Sequence, residues 1–202
     1  MIASLARPGG NVTGWSFLSV ETAEKQLGVL REAMPKLRSV GVLVNPGMAA
    51  HEVRVKHITQ AAKAMGVQLA VFEITSAAAL APSFAAMTRD RVDAFIVVPE
   101  PSLIDALRVV IIGLAAQHRL PGMYMFRFYP DSGGLMSYGP SLDALAALWP
   151  SYVDRILQGA RPADLPVATP RKYELVLNAK TARELGFTFP HALLVAADDV
   201  IQ

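Results

Sequence analysis

The 202-residue chain has no cysteine. That excludes disulfides, thiolate metal sites and cysteine nucleophiles, and leaves the redox compartment open. Charge is scarce: Asp, Glu, Lys and Arg make up 18% of residues, and 19 basic against 17 acidic side chains leave a net charge of +2. So small an excess is too weak for the basic footprint of a nucleic-acid-binding surface. Long hydrophobic runs are missing too. Val109–Ala116 is the longest, far short of the ~20 residues that span a bilayer. Met1–Pro8 has neither the basic nor the apolar stretch of a secretory signal, so the expectation is a soluble chain with no export address of its own. What is abundant is apolar: 52% of residues are hydrophobic, enough for a substantial core and too many for a disordered chain. The length fits one large domain or two small ones.

Catalytic signatures are also sparse. Gly9-Gly10-Asn11-Val12-Thr13-Gly14 has the wrong spacing for a dinucleotide-binding turn, and no Lys-Ser/Thr pair follows a glycine-rich loop. His51-Glu52 followed by His57 looks like a zinc helix, but the second histidine falls roughly 120° round the helix from the first. His118 suits a helix end, His191 has no apparent partner, and Asp198-Asp199 reads as a solvated pair. No serine sits in a G-x-S-x-G elbow. No cofactor, metal or catalytic residue is expected.

The pattern that remains alternates strand and helix. Apolar runs at 39–44, 67–74, 92–98, 122–126, 135–138 and 173–177 read as strands. Helices are expected over 21–34, with Ala23, Leu27, Leu30 and Met34 on one face, and over 49–65, with Val55, Ile58, Ala62 and Met65. A further helix starts or restarts at Pro82, and a long, nearly all-apolar one runs from 102 to 118 against the sheet. One over 142–157 is kinked at Pro150, a short one spans 181–185, and 190–200 is a last helix or turn. Pro162, Pro166 and Pro170 mark an extended connector. Repeated βα units imply an α/β fold with a doubly wound parallel sheet.

Ligands of such sheets bind beyond the carboxyl ends of the strands. The candidate ligand-binding residues are therefore Asn45, Glu100, Phe126, Arg127, Ser137, Tyr138 and Gly139. The Asn45 amide can bond a ligand, or close the strand as an Asx turn. Glu100 can pair with an ammonium, or serve as a helix N-terminal acid. Arg127 can clamp a carboxylate or lie in an exposed loop. Tyr138 can face a cleft or pack in a hinge. Trp15, Tyr124, Phe126 and Phe128 can stack on an aromatic ligand or on the core.

Four segments carry a resemblance. They are Ser4–Gly14 (SLARPGGNVTG), Val42–Pro46 (VLVNP), Ser132–Pro140 (SGGLMSYGP), and Pro162–Val167 continuing into Tyr173–Ala182. In this order and spacing the chain resembles the substrate-binding proteins of ABC importers, within the group that includes tryptophan- and tyrosine-binding members. The resemblance implies a two-lobed type I periplasmic-binding fold with an incomplete first lobe. Residues 1–16 would be a remnant of that lobe with the first crossing, 17–135 the second lobe, 136–177 the return segment and 178–202 a C-terminal segment rejoining the second lobe. It also implies a small-molecule ligand, such as an aromatic amino acid, trapped between lobes by hinge closure. The partner would be an ABC permease, and the location periplasmic or lipid-anchored. Family members begin with an export signal and the first half of the first lobe, so a fragment is expected here. Gly47-Met48-Ala49 replaces an Asn-Pro-like turn, and Phe128-Tyr129-Pro130 a more acidic stretch; both bear on ligand identity. The alternatives are the effector-sensing domain of a transcription regulator, an α/β enzyme, which would need a nucleophile–base pair or cofactor loop, and a fragment without function.

Overall fold

A computed structural model describes the chain except Met1, Leu18 and Met48, and except the side chains of Ser19, Val20, Ala49 and Ala50. Met48 of the 47–49 turn thus lies outside the described residues. Among the described residues, seven strands form one sheet: β1 (Ser39–Val44), β2 (Gln68–Glu73), β3 (Ala94–Val97), β4 (Gly122–Tyr124), β5 (Met136–Pro140), β6 (Tyr173–Asn178) and β7 (Asp199–Ile201). Their order is β2-β1-β3-β4-β5-β6-β7. The pairs β1/β2, β1/β3, β3/β4, β4/β5 and β6/β7 are all parallel. This is the expected doubly wound α/β sheet.

Helices cover both faces, and β3 shows why its sequence is apolar throughout. All four of its residues are buried. Ala94 and Ile96 join one cluster with Leu27, Leu30, Val40 and Met123. Phe95 and Val97 join another with Leu43, Phe84, Ile111 and Tyr124. Side chains alternate across a strand, so a strand covered on both sides has no polar face to show. The helices are α1 (Ser19–Ala33), α2 (Ala49–Ala64), α3 (Leu80–Arg89), α4 (Arg108–Gln117), α5 (Phe128–Asp131), α6 (Leu142–Ala146), α7 (Trp149–Leu157), α8 (Ala179–Leu185) and α9 (His191–Ala196).

Several boundaries differ from the periodicity reading. α4 starts at Arg108 because residues 101–107 form consecutive turns. It also exposes Val109 (66%) and Val110 (47%), so an all-apolar composition did not mean all-round burial. Pro150 does not kink one helix; it sits in the first turn of α7, separate from α6, where its missing N–H costs nothing. The residues after β4 form the short α5, and 199–201 form β7 rather than continuing a helix. In α2, Met65 lies beyond the helix end and is exposed, while His51 and Arg54 take buried positions of the stripe.

The chain divides into two compact units: Met1–Ser19 with Pro140–Tyr173, and Val20–Gly139 with Glu174–Gln202. In the first unit the N-terminal segment is strapped to the proline-rich connector. The Ala168 N–H donates to the Gly14 carbonyl at 2.8 Å and the Ser16 N–H to the Ala168 carbonyl at 2.9 Å. Thr13 Oγ1 donates to the Leu165 carbonyl at 2.7 Å, and the Trp15 and Trp149 rings lie 4.1 Å apart. The second unit holds the sheet.

Candidate functional site

The loops after β1 and β3 meet at the carboxyl edge of the sheet in the second unit. Asn45 follows β1 directly. Its Oδ1 accepts the Gly47 N–H at 3.0 Å, an Asx turn that closes the strand. Its Nδ2 donates to Glu100 Oε2 at 3.3 Å. Glu100 follows β3 and is 3% exposed. It also accepts the Ser102 N–H at 2.8 Å, the Leu103 N–H at 2.9 Å and the Ser102 hydroxyl. A carboxylate has about four acceptor positions, and here all are taken. Burial alone would raise the Glu100 pKa, but hydrogen bonds from Ser102, Asn45 and Leu103 outweigh it and bring it down to about 2. Asn45 and Glu100 are thus bonded to each other, and each fills the local structural role open to it.

One layer further in, Gln26 of α1 ties two strands together. Its Nε2 donates to the Tyr124 carbonyl at 3.0 Å and to the Tyr138 carbonyl at 2.8 Å. Its Oε1 accepts from Arg54 Nη2 at 2.9 Å. Arg54 is 1% exposed. Its Nε and Nη1 are buried without a hydrogen-bond partner, and among the described residues no carboxylate pairs with it. Burial lowers its pKa to about 10, so it is a cation at neutral pH. On the same face of α2, His51 Nδ1 lies 2.7 Å from the Asn45 carbonyl oxygen.

The residues from β4 and β5 are held by the protein itself. Phe126 is buried and stacks on Phe128 at 5.4 Å; Phe128 stacks on Tyr129 at 5.1 Å, and Tyr129 on Tyr124 at 4.3 Å. Arg127 pairs with Asp131 at 3.2 Å, Asp199 at 3.0 Å and Glu174 at 3.6 Å. The hydrogen bond that Arg127 donates to Asp131 leads the effects that raise its pKa. Asp199 is therefore no solvated bystander, and its neighbour Asp198 accepts the Leu175 N–H at 2.8 Å. Ser137 is buried in β5, and Tyr138 packs against the core. At Gly139 a Cβ would collide with the Met125 carbonyl oxygen and come within 2.7 Å of its Cγ, so β5 packs tightly there.

Gln26 and Arg54 were missed by the sequence reading, yet both left a signal. Gln26 is three residues after Ala23 and four before Leu30; Arg54 is four before Ile58. A polar side chain in an apolar stripe is buried with the stripe.

A family model described as "ABC transporter substrate binding protein" matches residues 1–201. The chain belongs to this family. Among curated relatives, the tyrosine-binding protein of Clostridioides difficile (strain R20291) is 24% identical over 186 residues, covering 92% of this chain and 52% of that protein. Among solved structures, an ABC domain in complex with L-Trp from Streptococcus pneumonia is 27% identical with a TM-score of 0.87, covering 99% of this chain and 68% of that one. A conserved domain protein from Vibrio cholerae is also 27% identical, with a TM-score of 0.90, covering 98% and 66%. The chain therefore spans about half the length of the curated substrate-binding relative and about two thirds of these structures. No helix among its described residues is long and apolar enough to cross a membrane.

Proposed function

We propose that the chain is the solute-binding part of an ABC importer and holds an amino acid, aromatic by preference, at the carboxyl edge of the β1–β5 sheet. The observation that carries this reading is the pair of opposite buried charges on that edge, Glu100 and Arg54, in a family of binding proteins. A free amino acid is a zwitterion and complements both signs. Two of the relatives are described as tyrosine-binding and as bound to L-Trp. The negative charge of Glu100 would favour the ligand's ammonium through its field, its acceptor positions being filled by Asn45, Ser102 and Leu103, and Asn45, Ser137 and Tyr138 would line the edge around the ligand. Phe126, Arg127 and Gly139 would keep the edge in shape around it.

The mechanism is capture, with no bond made or broken. Hinge closure of two lobes would desolvate the ligand and present the closed form to a membrane permease, outside the cytoplasm or on a lipid anchor. The family match over nearly the whole chain favours this over the effector-sensing domain of a regulator. Isothermal titration with each proteinogenic amino acid tests it. The expected result is one-to-one binding of tyrosine, tryptophan or both, with the ligand recovered unchanged. The absence of heat with every amino acid, or recovery of an altered ligand, would contradict it.

A further inference from the structure

Arg54 is a cation that the protein itself leaves unanswered. Among the described residues its only hydrogen-bond partner is the neutral amide of Gln26, and its Nε and Nη1 have none. A buried charge is ordinarily paired, because desolvating it costs several kcal/mol that only a counter-charge and hydrogen bonds recover. Even Arg127 in the same unit, with its side chain 41% exposed, has three carboxylates about its guanidinium. Arg54 also lies in a telling place. The amide it touches is bonded to the carbonyls of Tyr124, the last residue of β4, and Tyr138 in β5. That puts the guanidinium within one side chain of the carboxyl edge, where ligands of parallel sheets bind.

From this geometry we infer that Arg54, oriented by Gln26, is the anchor for a carboxylate of the ligand, which takes up the hydrogen bonds the guanidinium leaves unmade. The inference rests on the binding reading above and adds the group recognised. Gln26 takes up one N–H of Nη2; the other N–H of Nη2, with Nε on one edge or Nη1 on the other, forms the two-pronged donor that a carboxylate fits. The protein folds with an incomplete charge pair, and the ligand completes it.

The test compares wild type with R54M, which keeps the apolar stem and drops the charge, and R54K, which keeps the charge and loses the fork. Titration uses L-tyrosine and L-tryptophan beside tyramine and tryptamine, which lack the carboxylate. The expected result is amino-acid binding at least about 100-fold weaker in R54M, an intermediate loss in R54K, and weak, variant-independent binding of the amines. A structural strut predicts something else: R54M would then melt below wild type. With an uncompensated cation removed, ligand-free R54M melts at or above wild type. A lower melting temperature for ligand-free R54M, or unchanged amino-acid affinity, overturns the inference. If wild type binds neither amino acid, the aromatic reading fails separately. Thermal shifts with acetate, benzoate and indole-3-acetate then decide: stabilisation of wild type but not R54M upholds Arg54 as a carboxylate anchor, and equal responses overturn it.

Discussion

At the scale of single residues, the carboxyl edge is organised by hydrogen bonds to one acid. Glu100 accepts from two backbone N–H groups, a hydroxyl and an amide. Each favours the ionised form. The folded-state pKa of about 2 lies below the ordinary 4.5. The stabilisation is therefore complete above pH ~4.5 and is lost as pH falls toward 2. E100Q offers one acceptor oxygen where the carboxylate offers two, and turns an amide N–H toward donors. It should cost on the order of 1–3 kcal/mol at pH 7. Denaturant titrations at pH 7 and pH 3 check both points: the gap between wild type and E100Q should be wide at pH 7 and narrower at pH 3. At this scale the sequence was only partly legible. Strand-end position pointed to Asn45 and Glu100, since a polar residue after a buried run has few places to go. Gln26 and Arg54 stayed hidden because a helical stripe is read from its apolar members, while Gln26 is held by carbonyls on strands distant in sequence and Arg54 by Gln26.

At the scale of elements, the joints carry more information than the spans. Asn178 ends β6 and caps α8: its Oδ1 accepts the Thr181 N–H at 2.8 Å, and its Nδ2 donates to the Pro130 carbonyl in α5 at 2.9 Å. N178A removes an N-cap and strands a buried carbonyl. It should lower stability by about 1–3 kcal/mol, measured by denaturant unfolding; a loss within error of zero would show that α8 holds without its cap. Strands and caps were the legible part. Gly66 and Gly186, with φ of 68° and 72°, end their helices in the left-handed conformation glycine favours. Pro82 lies in the first turn of α3, as its missing N–H requires. The illegible part lay where local pattern and tertiary packing disagree. The stretch before α4 has helical composition, yet Glu100 draws the Ser102 and Leu103 N–H groups into a turn. β7 is too short to show a period, and exists because β6 offers an edge to pair with.

At the scale of the whole molecule, the βα alternation and the motif strings led to the same fold and family that the sheet and the family match establish. The central strands β1, β3 and β4, buried on both faces, give a packed platform, and such a platform is what holds a polar edge in register. The polar edge was less legible, because the loops after β1 and β3 and the side chains of α1 and α2 that form it converge only in three dimensions. The central claim is that this edge is where the ligand sits. Hydrogen–deuterium exchange of the chain, with and without saturating L-tryptophan or L-tyrosine, tests it most directly. The account predicts slowed exchange in segments 45–54, 100–107 and 124–139, with little change in 180–186. Uniform exchange in both states, or protection confined to the groove of Ile112, Lys180 and Glu184, would contradict it.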